Sequence, residues 1–160
     1  MIRPSRLVAI SVCVTIGCLL LAGGAQASDS SVRSAIEASS QQAKESPELQ
    51  GALSELKSDP KSIAKVQKGI AAFDSALRKV AAKVAAQKAS TSNGKQGEAD
   101  WLGGDHKLIQ GFGDLNTALS DIKSGNKSAA KPEAKQAVAL AKEGVAEAKK
   151  GKSLLGVKKD

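Results

Sequence analysis

The residues best equipped for chemistry fall in one short stretch, Glu98-Ala99-Asp100-Trp101-Leu102-Gly103-Gly104-Asp105-His106. It holds the only tryptophan and the only histidine of the chain, with three acids among them. An imidazole beside carboxylates could bind a metal ion through His106 with Glu98, Asp100 or Asp105. One histidine without a second histidine or a cysteine is a poor transition-metal set. His106 is therefore expected at the surface near a helix start, and no cofactor is expected. Trp101 is expected to cap the end of a helical bundle. It is also the side chain best suited to anchor a ligand or partner, since tryptophan is a frequent hot-spot residue.

Catalytic constellations are poorly supported. Serines are plentiful, but none sits in a G-x-S-x-G elbow that would present it to His106 and an aspartate. Paired carboxylates could in principle cleave a glycoside. The only large aromatics to stack on a sugar ring, however, are Trp101, Phe73 and Phe112. The glycines around Gly103-Gly104 and Gly111-Phe112-Gly113 do not match the phosphate-binding G-x-x-x-x-G-K-[ST] loop. The chain is not expected to be an enzyme.

Lysine is the remaining chemistry. Lys61, Lys65 and Lys68 share one helical side, with Lys79 and Lys83 further along. Near the C-terminus come Lys149, Lys150, Lys152, Lys158 and Lys159, set against Asp160. Such a surface suits an anionic polymer or an envelope surface, and the bland alternative is a solvated face that keeps the protein soluble. Glu133, Glu143 and Glu147 are expected to dilute the patch on the last helix. The absence of tyrosine and the scarcity of arginine argue against sequence-specific nucleic-acid recognition. The candidate binding residues are Lys149, Lys150, Lys152, Lys158, Lys159 and Trp101.

These side chains must be carried by helices, because no alternating β-branched run occurs and the helix formers Ala, Lys and Leu are abundant. Residues 60–88 give the clearest helix. Asp59 suits the N-cap and Pro60 the first helical position. Ile63, Val66, Ile70, Phe73, Leu77, Val80 and Val84 then follow the spacing of an unbroken heptad seam. That seam is expected to be the buried face of a bundle helix, the alternative being a coiled coil with a partner or second copy.

A second seam runs through Trp101, Leu108, Phe112, Leu115, Leu119 and Ile122 and skips Asp105. Each glycine inside a helix costs about 1 kcal/mol relative to alanine. The turns before about residue 106 are therefore expected to be frayed, kinked or separate. Residues 31–57 carry Val32, Ile36, Ala43, Leu49, Leu53 and Leu56, with Ser39 interrupting and Pro47 breaking or kinking the helix. Residues 128–150 are alanine-rich, and their packing stripe is read as Val138, Ala141, Val145 and Ala148. Ala89 to Glu98 reads as a polar linker and residues 152–160 as a basic tail.

An internal repeat ties these elements together. Leu49 to Lys65 aligns with Leu115 to Lys131 at a constant offset of 66, with ten of 17 positions identical. The run crosses a helix, a turn and the next helix start, which points to a helical hairpin used twice. The expected fold is all-α: a four-helix up-down-up-down bundle from a duplicated hairpin. The hairpins would span about 31–89 and 98–151 within a bundle of residues 28–151.

The N-terminus sets the compartment. Arg3 and Arg6 precede an apolar run from Leu7 to Ala22, then Ala25-Gln26-Ala27, the pattern of a cleaved secretory signal over residues 1–27. The run is shorter than the roughly 20 residues that span a bilayer. Lipid attachment at Cys18 fits less well, since Thr15 is a poor leading residue. Cleavage after Ala27 removes both cysteines and the only methionine, and the loss of Arg3 and Arg6 lowers the net charge from +8 to +6. No disulfide, Cys-based zinc site, iron–sulfur cluster or His/Met haem is then available. The expectation is a secreted, periplasmic or envelope protein, non-catalytic, that contacts anionic envelope polymers through lysines. The alternatives are a protein-interaction module using a coiled-coil seam and a small-ligand or metal carrier at the Trp101–His106 segment.

Overall fold

Pro47 divides the first helical stretch in two. In the computed structural model, which describes residues 27–59 and 62–157, α1 runs Asp29–Lys44 and α2 Pro47–Ser58. Proline is tolerated in the first turn of a helix, where its missing N–H has no intrahelical partner, so it opens α2 rather than interrupting it. α3 spans Ile63–Ala85, α4 Ser92–Ser124 and α5 Lys127–Leu154. The chain is all-helical, with no strand among the described residues. The expected leader, apart from Ala27, lies outside the described residues, as do Pro60, Lys61, Lys158 and Lys159.

Local chemistry sets the helix ends. α3 starts three residues later than expected: its N-cap is Ser62, whose hydroxyl accepts the Lys65 N–H at 3.5 Å. Asp59 does not cap it; its carboxylate pairs with Lys65 at 3.7 Å. Thr91 caps α4 by accepting the Gly94 N–H at 2.9 Å. α4 ends at Gly125, whose φ of 85° is the left-handed conformation that glycine adopts without strain. The Asn126 N–H then closes on the Asp121 carbonyl at 2.8 Å.

The glycine-bearing start of α4 is neither frayed nor a linker. The helix runs unbroken from Ser92, through glycines that propensity alone counts against it. Gly97, Gly104, Gly111 and Ala118 recur every seven residues on α4 and are all buried. Ala130, Ala137, Gly144 and Gly151 recur every seven on α5, and they too are buried. The two lines face one another antiparallel. A Cβ at Gly104 would lie 2.5 Å from the Gly144 carbonyl oxygen and from the Ala148 nitrogen. One at Gly151 would lie 2.5 Å from the Gly97 carbonyl oxygen, and one at Gly111 3.0 Å from that of Ala137. The register continues with Ala118 opposite Ala130. Backbone packs on backbone here, and the dense contact supplies the dispersion that large side chains supply elsewhere.

This corrects the expected packing stripe of α5. Val138 and Val145 do not face α4; they are 54% and 43% exposed. α3 packs on α4 and on both α1 and α2. Its Ile70, Val80 and Val84 are buried, as the heptad seam implied.

One core cluster joins α1 to the end of α5. Val32 and Ile36 of α1, Val80 and Val84 of α3, Ala89, Trp101 and Leu155 pack together. Leu155 is 1% exposed, so residues 152–157 belong to the fold rather than to a free tail. The Arg33 guanidinium donates to the Leu155 carbonyl at 2.7 Å and ties α1 to the end of α5.

Candidate functional site

The Trp101–His106 segment is taken up by packing. Trp101 is 5% exposed inside the core cluster and presents no ring face to solvent. Glu98 is buried and accepts the Ala89 N–H at 2.9 Å, with Lys88 3.6 Å away. Asp100 pairs with Lys150 at 2.9 Å and accepts from Gln96 at 2.8 Å. These partners hold its carboxyl below the ordinary range, the Lys150 contact first. His106 is exposed. Among the described residues no three His, Asp or Glu side chains form a group that could hold a metal ion.

Asp105, the residue skipped by the seam, is 2% exposed and points inward. Its Oδ2 has no hydrogen-bond partner. Burial, reinforced by the Asp74 carboxylate on α3, pushes its pKa up to about 6. Asp74 itself accepts from Arg78 at 2.8 Å.

The lysines divide more sharply than the sequence suggested. Successive steps of four residues around α5 give neighbouring lines along the helix. From the line buried on α4, one step leads to Ala134, Ala141, Ala148 and Leu155. The next leads to Lys131, Val138, Val145 and Lys152. A third leads to Lys135, Lys142 and Lys149. No acid lies on any of these three lines. Lys131, Lys135, Lys142 and Lys149 are exposed and Lys152 is half-buried. None of the five has an ion-pair partner among the described residues. From Lys131 to Lys152 the row extends about 32 Å at 1.5 Å per residue.

The acids of α5 lie on the other side of its buried line. Glu143 and Glu147 close on Lys107 of α4 at 3.3 and 2.8 Å. Those two contacts raise the Lys107 pKa, Glu147 contributing first. Glu133 is pushed up by burial and by the Asp121 and Asp114 carboxylates. The expected dilution of the lysine patch by Glu133, Glu143 and Glu147 therefore does not occur.

Of the candidate binding residues, Lys149 and Lys152 sit on the acid-free side, whereas Lys150 is committed to Asp100 across the helix. Lys131, Lys135 and Lys142 were not singled out from the sequence. The seven-residue spacing of Lys135, Lys142 and Lys149, with Lys131 and Lys152 three such steps apart, was the available signal. On α3 the basic residues are engaged locally: Lys79 lies 3.9 Å from Glu48, and Lys83 donates to Gln42. A groove of about 640 Å³ opens where α1 gives way to α2, lined by Ser39, Glu45, Pro47, Glu48, Lys79 and Val80 among others. Its mixed charges mark no single ligand chemistry.

Comparison with protein-family models, with curated proteins and with solved structures finds no match to this chain.

Proposed function

We propose that this chain is an exported, non-catalytic helical binding protein that holds an anionic partner of the cell envelope or exterior on the lysine side of α5. The observation that carries the reading is the segregation of charge around that helix. Five lysines share a side with no acid, while the acids are drawn to Lys107 and the far side. A solubilising surface has no need to sort its charges in this way. Lysines held in register on a rigid helix present a row of point charges that a flexible tail would not.

The scaffold in this reading is a four-helix up-down-up-down bundle, with α1 and α2 together forming one broken helix. One observation supports its origin in a duplicated hairpin: α2 ends at Ser58 and α4 at Ser124, 66 residues apart, the offset of the repeat. Export rests on the leader pattern of residues 1–27.

The test uses the exported chain, residues 28–160, with poly-L-glutamate and polyphosphate over a salt series. Binding should weaken steeply as salt rises, through counterion release. A K135Q/K142Q/K149Q variant should lose most of it while keeping its helical circular dichroism. Absence of binding at low salt, or binding unchanged in the variant, would overturn the reading.

A further inference from the structure

We infer that the partner held by α5 is an acidic amphipathic helix of another protein, seated along Val138 and Val145 with its carboxylates against the flanking lysines. This rests on the reading of the lysine side as a binding surface and names what that surface takes.

The seat has the geometry of a helix-packing seam. Ala134, Val138, Ala141, Val145 and Ala148 follow one another at spacings of 4, 3, 4 and 3, the a/d repeat of a coiled coil. Such a repeat is normally buried. Here the two valines are about half exposed, because α5 uses its glycine and alanine line to pack on α4. Among the described residues, α5 away from its C-terminal end packs chiefly on α4. Ile122, near the C-terminal end of α4, is also 41% exposed. It shares a line of α4 with Trp101, whose core cluster includes Leu155 and has Ala148 packed against it.

Charge decides the occupant. The valines' own line carries Lys131 and Lys152, the line on one side of it carries Lys135, Lys142 and Lys149, and neither carries an acid. A second copy docked through the same helix would set lysines against lysines, which like-charge repulsion opposes. A bilayer surface would be met by two short valines with no leucine or aromatic beside them, a weak interfacial anchor. A polysaccharide would satisfy the lysines but leave the valines in water. An amphipathic helix with small or aliphatic residues at a and d and glutamates beside them satisfies both, over about 20 residues of contact.

The experiment mixes the exported chain with a synthetic four-heptad peptide of about 28 residues, with Leu at a and d and Glu at e and g. A scrambled peptide of equal composition, poly-L-glutamate and phosphatidylglycerol/phosphatidylcholine vesicles run in parallel. The peptide should bind at least about tenfold more tightly than its scramble, and gain helix on binding. A V138S/V145S variant, changed only at exposed positions, should lose about tenfold in affinity for the peptide and keep its affinity for poly-L-glutamate. Equal binding of peptide and scramble, or peptide binding indifferent to the valines, would overturn the helix seat while salt-sensitive poly-L-glutamate binding left the wider reading standing. Vesicle binding lost in V138S/V145S, with no peptide binding, would replace the helix by a lipid surface. Failure of the peptide, poly-L-glutamate and vesicles alike at low salt would remove both readings.

Discussion

Alanine at Gly104 and alanine at Gly113 should have opposite effects, although both positions lie in the same helix. By intrinsic propensity each change should stabilise the helix by about 1 kcal/mol, because glycine has the most backbone freedom to lose. At Gly113 a Cβ would meet nothing within 4 Å, so that gain should appear in full. For a domain of this size it corresponds to a rise in Tm of roughly 3–5 °C. At Gly104 the same carbon would lie 2.5 Å from the Gly144 carbonyl oxygen and the Ala148 nitrogen, both backbone atoms that no rotamer change can move. Ordinary contact begins near 3.4 Å. The two helices must therefore part by about 1 Å at their closest approach, and overpacking of that kind costs roughly 1–3 kcal/mol. After the propensity gain, a net loss of up to about 2 kcal/mol is expected. Urea unfolding of residues 28–160 and of both variants, followed by circular dichroism, measures this directly. If G104A proves as stabilising as G113A, α4 and α5 do not meet along the glycine line, and the packing argument fails.

Further outcomes follow from buried polar groups and the core. Asp105 is protonated more readily in the folded than in the unfolded chain, so stability should be highest below about pH 4 as far as this group is concerned. It should fall as pH rises from about 4 to 6, by about 3 kcal/mol at most, and D105N should flatten that part of the pH–stability profile. An unchanged profile in D105N would show that Asp105 is solvated. E98A should leave the Ala89 N–H without its acceptor and cost about 1–3 kcal/mol in chemical denaturation. A loss near zero would mean that water replaces the carboxylate. W101A should cost roughly 3–5 kcal/mol. In the parent chain, the single tryptophan should emit at shorter wavelength than free tryptophan and shift red on unfolding, whereas a red-emitting native state would contradict its burial.

Much of the local structure is legible in the residues themselves. Helical periodicity marks α3, and Pro47 marks the break between α1 and α2. The Ser124-Gly125-Asn126 stop needs only the left-handed conformation open to glycine. The candidate site was partly legible: Lys149 and Lys152 were visible in the C-terminal lysine run, but Lys131, Lys135 and Lys142 were not. Their common side becomes meaningful only once it is known which line of α5 is buried.

That choice belongs to the tertiary structure. Hydrophobic periodicity weighs side chains by the water they shed, so it selects Val138, Ala141, Val145 and Ala148 as the packing stripe of α5. The helix instead packs through Ala130, Ala137, Gly144 and Gly151, because Gly97, Gly104 and Gly111 present a matching surface of bare backbone. Propensity reads those glycines as weak points, since it describes a helix standing alone in water. Beside a second helix, the missing side chains allow an approach that no larger residue permits. By itself, the sequence determined an all-helical chain, its main turn and break signals, and the residues that carry its charge. The tertiary structure decided which small residues became the contact, and with that which lysines and valines were turned outward together.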